Sequence, residues 1–359
     1  MLAKTLELKN YRNYPFLRAE FSDGLNVFVG RNAQGKTNLL EAIYLCSIGR
    51  SMRANKEKQL IRWDTESASV KLGIKKEFGT SQIEIILSKG SKKTVRINQI
   101  PIRKIGELMG EFTAVYFSPD ELKLVKESPE DRRRFMDISI SQMSKTYFYL
   151  LGKYEKILAN RNKLLKLTKS VDAIKETIDI WNEQLSSVGA RIIYQRLKFL
   201  ENLSPYARLS HEYLTDGAEQ LTLEYAGYKG ESEAEIKEKL IKELEKSFEK
   251  DIKLCYTTVG PHRDDIKVSI NGIDVRTYGS QGQQRTVALS LKLAELEILE
   301  KQTGEKPILL LDDVLSELDS TRKKKLINFC KKTQTFLTCT EFEYSADKIF
   351  VIEDGKIKQ

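Results

Sequence analysis

The chain has 359 residues, 40% of them apolar and 31% charged, with a formal net charge of +9 and a pI near 9.1. No apolar run approaches the ~20 residues a bilayer crossing needs, which weighs against a membrane protein. Four scattered cysteines (Cys46, Cys255, Cys330, Cys339) without a CxxC pair, and two histidines, weigh against a disulfide framework or a zinc cluster and read as buried thiols. The length predicts two lobes, and the positive charge favours a polyanionic partner.

The N-terminus (Met1–Glu7) alternates like a strand and lacks a signal-peptide core, so a cytoplasmic protein is expected. Leu25–Val29 is a short apolar strand ending at Gly30, and helical spacing resumes over Asn38–Leu45 at Leu39, Leu40, Ile43 and Tyr44. Val70–Ile74, Gln82–Leu87 and Thr94–Ile100 read as strands of a smaller antiparallel sheet.

The middle of the chain changes period. Tyr147, Leu150, Leu151, Tyr154, Ile157, Leu158, Leu164 and Leu165 share one helical face. After a break near Ser170, Val171, Ile174, Ile178, Trp181, Leu185, Val188 and Ile192 repeat in a heptad-like pattern. Two amphipathic helices joined by a short connection predict an antiparallel arm set on the head; the same stripes would also suit helices packed on the head as core.

Glu231–Glu249 reads as a solvated surface helix. Lys267–Ile270 and Ile273–Arg276, joined by Asn271-Gly272, read as a hairpin. The chain closes with a helix over Gln284–Glu300, the strand Ile308–Leu311, another helix, and a strand at Thr335–Thr338.

Gly30-Arg31-Asn32-Ala33-Gln34-Gly35-Lys36-Thr37, followed by Asn38, fits the G-x-x-x-x-G-K-[ST] phosphate loop and lies between a strand and a helix, as its mechanism requires. Backbone N–H groups and the helix N-terminus would hold phosphates, Lys36 would reach the β- and γ-phosphates, and Thr37 would ligate Mg²⁺. The apolar strand ending in Asp312-Asp313 fits the metal-holding element of such ATPases. Asp312 would hold the metal, and Asp313 would orient or deprotonate the attacking water. Lys36 and Asp313 are thus the catalytic candidates. Roughly 275 residues separate the two motifs, with a helical insert between them, which is unlike a compact GTPase. Tyr278-Gly279-Ser280-Gln281-Gly282-Gln283-Gln284-Arg285 puts a hydroxyl at a helix start, which suits either a second anion site or a plain cap.

Ser280-Gln281-Gly282-Gln283 resembles the ABC signature, and Leu311–Asp319 resembles a Walker B strand running into a D-loop that ends at Asp319. Lys9–Tyr14, Gly35–Ala42, Ser128–Phe135, Gly260–Asp265 and Ser280–Arg285 resemble, more narrowly, the RecF family of recombination-repair ATPases, and they span the whole chain. That resemblance implies an α/β ABC-type head built from both chain ends (residues 1–115 and 254–359) with a helical arm lobe inserted at 116–253. It implies a weak, DNA-stimulated ATPase using ATP and Mg²⁺, and a homodimer formed on ATP with each phosphate loop facing the partner's Ser280 motif. It further implies binding of double-stranded DNA near single-strand gap junctions, and recruitment of RecR and through it RecA. Asp313 stands where transporters carry Glu, Cys339-Thr340-Glu341 occupies the usual switch-histidine position, and no Q-loop glutamine stands out near Phe117-Ser118-Pro119. These departures imply slow hydrolysis. The alternative is the ATPase subunit of another ABC system, against which the long basic insert argues; an SMC-type tether would need a far longer insert.

The DNA surface is the part least fixed by motifs. Lys145, Lys153, Lys156, Arg161, Lys163, Lys166 and Lys169 stand against the single acid Glu155 on the first arm helix, with Lys153, Lys156 and Lys163 together away from its apolar stripe. The other candidate is Arg50, Arg53, Lys56 and Lys58 on the head. Gly260–Asp265, read without the family, is a turn with a surface ion pair.

Overall fold

The computed structural model describes residues 1–167 and 171–358. Its centre is a six-stranded sheet ordered Lys356–Lys358, Lys348–Glu353, Leu25–Val29, Thr335–Cys339, Ile308–Asp312 and Ala114–Phe117. All neighbours are parallel except the first pair. Parallel strands are buried on both faces, which is why Leu25–Val29 and Ile308–Asp312 are near-continuous apolar runs.

The period-two alternation of side chains divides this sheet between two cores. Val27, Val115, Leu309, Leu311 and Leu337 face one, while Phe28, Tyr116, Leu310 and Phe336 face the other. The second core is closed by the helix Lys36–Ile48 and by an antiparallel sheet. That sheet is ordered Tyr14–Glu20, Leu2–Tyr11, Ser67–Lys75, Thr80–Ser88, Thr94–Ile97 and Ile100–Pro101. The strand expected over Thr94–Ile100 is therefore a hairpin. Asn98 and Gln99 take φ of 51° and 68°, a left-handed pair that turns the chain back.

The first core is closed by helices Pro129–Met143, Lys145–Leu167, Val171–Thr215 and Gln281–Thr303. The two expected amphipathic helices form, pack against each other, and join the first core. Tyr147, Leu150, Tyr154, Ile157, Leu185, Val188 and Ile192 belong to the same core as the parallel sheet. Only the far end stands apart, as a small cluster of Leu165, Ile174 and Ile178 with Phe248 and Ile252 against it. The connection containing Ser170 lies outside the described residues.

Neither expected domain boundary coincides with a structural one. Ala114–Phe117 is an edge strand of the central sheet, so a cut at 116 splits it. Leu221–Ala226 pairs with Asp265–Ile270, so a cut at 253 divides a three-stranded sheet completed by Ile273–Asp274. The hairpin at Asn271-Gly272 forms with φ of 51° and 79°, but Val275–Tyr278 is a helical turn and not the continuation of a strand. Cys46, Cys330 and Cys339 are buried, whereas Cys255 is exposed at a helix end. Among the described residues no helix is long and apolar enough to cross a membrane.

Candidate functional site: a phosphate loop and an exposed signature turn

Residues 30–35 leave the strand Leu25–Val29 and enter the helix that begins at Lys36. Gly35 caps that helix in the left-handed region (φ 109°), where a Cβ would collide with the Asn13 amide and the Tyr14 hydroxyl. Those two side chains buttress the loop: Asn13 Nδ2 donates to Gln34 O at 3.1 Å, and Tyr14 OH donates to Gly35 O at 3.0 Å. Asn38 Nδ2 in turn donates to Asn13 Oδ1 at 2.8 Å. The Lys36 ammonium folds onto the start of its own loop, donating to the carbonyls of Gly30 and of Arg31 (2.9 Å). Burial lowers its pKa from the ordinary lysine value, against the opposing pull of Asp313, Cys339 and Asp312.

Asp312 is the hub. Its Oδ1 accepts from Thr37 Oγ1 at 2.9 Å and from Thr338 Oγ1 at 2.7 Å, and its Oδ2 accepts from Tyr116 OH at 3.0 Å. The phosphate-loop helix and three neighbouring strands of the central sheet thus converge on one carboxylate. Tyr116, just before Phe117-Ser118-Pro119, makes this contact from the place where the family pattern would put a Q-loop residue. Asp313 turns out of the strand with φ 51°, and its backbone N donates to Thr338 Oγ1 at 2.9 Å. Burial raises the Asp313 pKa, partly offset by the Lys36 charge, which suits a carboxylate meant to accept a proton. Burial likewise pushes the Cys339 thiol up to about 11.

Ser280 caps the helix Gln281–Thr303. Its hydroxyl accepts from Gln283 N at 3.2 Å, and the Gln283 side chain accepts from Ser280 N at 2.9 Å. This is the reciprocal capping arrangement, so the turn is rigid although Ser280 and Gln281 are exposed. Asp319 caps the helix Ser320–Cys330 and pairs with Arg322 at 2.9 Å, while Arg285 pairs with Glu317. Among the described residues no hydrogen bond or ion pair joins residues 30–38 to residues 280–283.

The basic candidates separate. Lys153, Lys156 and Lys163 are exposed, and among the described residues none has a bonded partner. Arg161, counted with them from the sequence, is fully buried: it pairs with Asp251 at 2.7 Å and bonds Asn182 and Thr257 at 3.0 and 2.8 Å. Lys145 lies 3.4 Å from Glu111, and Lys169 is outside the described residues. Arg50, Lys56 and Lys58 are exposed, as is Arg53, whose guanidinium reaches Asn38 Oδ1 at 3.3 Å and so borders the nucleotide site. A cleft of about 770 Å³ has Arg50, Asn55 and Glu57 on one side and Tyr154, Glu155 and Leu158 on the other. Of these basic candidates only Arg50 lines the cleft.

Gly260–Asp265 is not a surface turn. Pro261 O accepts from Arg196 at 2.6 Å, His262 is bonded to Tyr154 OH at 2.8 Å, and Arg132 clasps Asp265 through Nε and Nη2 of one guanidinium edge (3.0 Å for Nη2). Asp264 is buried between Tyr225 and Arg196, and burial raises its pKa to about 6. The block locks three helices to the strand Asp265–Ile270. Asn13 and Tyr14 fall in the stretch Lys9–Tyr14 that carries the family resemblance, whereas Tyr116 and Thr338 carry no signal by themselves, because each acts through a contact distant in sequence.

The chain matches the RecF/RecN/SMC N terminal domain family over residues 2–347. It is 47% identical over 367 residues to the DNA replication and repair protein RecF of Alkaliphilus oremlandii, covering 99% of this chain and all of that protein. It is 48% identical over 349 residues to RecF of Ruminiclostridium cellulolyticum, covering 96% and 94% of the two chains. The solved structure of the recombination mediator protein RecF with ATP in the RecFOR pathway superposes with a TM-score of 0.92 at 41% identity, over 99% of this chain and 97% of that one. An Smc head domain of Pyrococcus furiosus shares the fold at a TM-score of 0.57 and 18% identity, over 99% and 95% of the two chains.

Proposed function

The chain belongs to the RecF family of DNA replication and repair proteins, and from that premise we propose that it is an ATP-driven clamp on duplex DNA. The phosphate loop Gly30–Asn38 binds ATP, with Lys36 on the β- and γ-phosphates. Thr37 Oγ1 and Asp312 Oδ1, hard oxygen donors 2.9 Å apart, fit Mg²⁺, which when bound supplies positive charge to the phosphate oxygens. Asp313 orients the attacking water and takes its proton. Its short side chain, and a cysteine at position 339 in place of a histidine, favour slow turnover.

One observation carries the dimer. The phosphate-loop half of the site is knitted together through Asp312, while the signature turn is rigid, exposed and unbonded to it. Ser280, Gln281, Gly282 and Gln283, with Asp319 beside them, then complete the nucleotide site of a second copy. The exposed lysines Lys153, Lys156 and Lys163 are the surface offered to duplex DNA near single-strand gaps, with exposed Arg50, Arg53, Lys56 and Lys58 on the head as the other candidate. The relative solved with ATP is described as a recombination mediator of the RecFOR pathway, which supports RecR as partner and RecA loading as outcome. Ser280→Arg places bulk at the turn without touching the local phosphate loop. Monomeric ATP binding is expected to persist while the ATP-dependent dimer disappears in light scattering; a dimer that survives removes the composite site.

A further inference from the structure

Gln283 has both ends of its side-chain amide engaged. Its oxygen accepts from Ser280 N at 2.9 Å, and its Nε2 donates to Glu219 Oε1 at 2.9 Å. The second oxygen of Glu219 is bonded to His211 Nε2 at 3.0 Å, and His211 Nδ1 is bonded to Ser290 Oγ at 3.1 Å. His211 is fully buried on the long helix Val171–Thr215, and Glu219 lies in the connection that follows that helix. Ser290 belongs to the helix that the signature turn begins. A bonded path therefore leaves the long helix, passes through one carboxylate, and enters the signature turn from outside its own helix.

A reciprocal cap alone engages only the oxygen of the Gln283 amide. Anchoring the NH₂ on a carboxylate adds a charge-assisted bond and removes the remaining rotation of the side chain. His211, itself tied to Ser290, holds the other Glu219 oxygen and so limits the carboxylate's rotation. A Cβ at Gly282 would meet only Ser280 Oγ at 3.9 Å and Arg322 Nη1 at 4.0 Å.

We infer that Glu219 is a positioning residue for the signature turn: braced by His211, it fixes the Gln283 side chain and makes the face offered to a second copy depend on the long helix. This rests on the proposed function, in which that turn works in trans. A bond that served only to satisfy the ring N–H of a buried histidine would leave the turn's behaviour indifferent to Glu219.

The test uses the full chain and light scattering with ATP on the wild type, Glu219→Ala, Gln283→Ala and their double mutant. Glu219→Ala is expected to weaken the ATP-dependent dimer about tenfold, the scale of one charge-assisted hydrogen bond, while ATP binding to the monomer, by calorimetry, stays intact. The double mutant is expected to be no weaker than the poorer single, because both lesions remove one link. Glu219→Gln, which keeps a carbonyl oxygen able to accept from Gln283, recovers most of the loss. Glu219→Ala that dimerises like the wild type, with or without a lower unfolding midpoint, overturns the inference, as does a double mutant in which the two losses sum. A wild type that stays monomeric with ATP removes the composite site itself and this inference with it, so the two failures are told apart by the control.

Discussion

Around the phosphate loop, Lys36, Thr37, Asn38 and Asp312 are each tied to a neighbour, whereas on the helix Lys145–Leu167 the lysines at 153, 156 and 163 reach solvent untied. The loop's chemistry is contiguous in sequence and made largely of backbone, so it survives in whatever fold surrounds it. The helix carries a stripe whose meaning depends on which of its charges the fold removes from water. Arg161 and Lys163 are two residues apart, yet one is sealed against Asp251 and the other faces solvent. A basic count along a helix is therefore an upper limit on the charge it can offer a polyanion.

The largest effect expected tests that contrast within the helix itself. Arg161→Ala leaves Asp251 buried without its partner and is expected to cost about 3–5 kcal/mol of unfolding free energy in urea, whereas Lys153→Ala should stay within about 0.5 kcal/mol. A near-neutral Arg161→Ala would erase the distinction between the two kinds of basic residue.

At the nucleotide site, Asp313→Asn keeps the backbone bond to Thr338 and removes the proton acceptor. Turnover measured by phosphate release should fall roughly 100-fold with ATP binding retained and the ATP dimer trapped; wild-type turnover would end its role as base. Lys36→Ala removes the ammonium that folds onto the loop carbonyls and should weaken ATP binding by about 10- to 100-fold in titration calorimetry. Unchanged affinity would mean that the backbone alone holds the phosphates.

The smallest effect concerns DNA. Changing Lys153, Lys156 and Lys163 together to Glu should weaken duplex binding and flatten its salt dependence by about 0.9 for each phosphate that the helix no longer neutralises. Affinity that falls at an unchanged slope would mark an indirect effect. If neither moves, the head candidates Arg50, Arg53, Lys56 and Lys58 become the DNA surface to test.

How much was legible follows from the range of each interaction. The strand Leu25–Val29, the phosphate loop, the strand ending at Asp312-Asp313 and the cap at Ser280 are all local patterns, and each folds as its spacing predicts. The arm was legible as two amphipathic stripes but not as a destination, because a stripe says that a face is covered and not by what. Its two helices cover each other, and the longer one also packs on the helices Gln281–Thr303 and Glu233–Lys246. Gly260–Asp265 was opaque for the same reason: its partners, Arg132, Tyr154, Arg196 and Tyr225, come from four separate elements.

The sequence by itself determined where the phosphate loop forms, since a glycine-rich turn between a buried strand and a helix is set by local backbone geometry. Only the tertiary structure decided which residues stand around that turn. Tyr116, Thr338 and Asn13 reach the site because parallel pairing and sheet-on-helix packing align atoms that lie far apart in the chain, 196 residues in the case of Tyr116 and Asp312. Hydrogen bonds of that range leave no periodic trace in sequence, so folding alone discloses them.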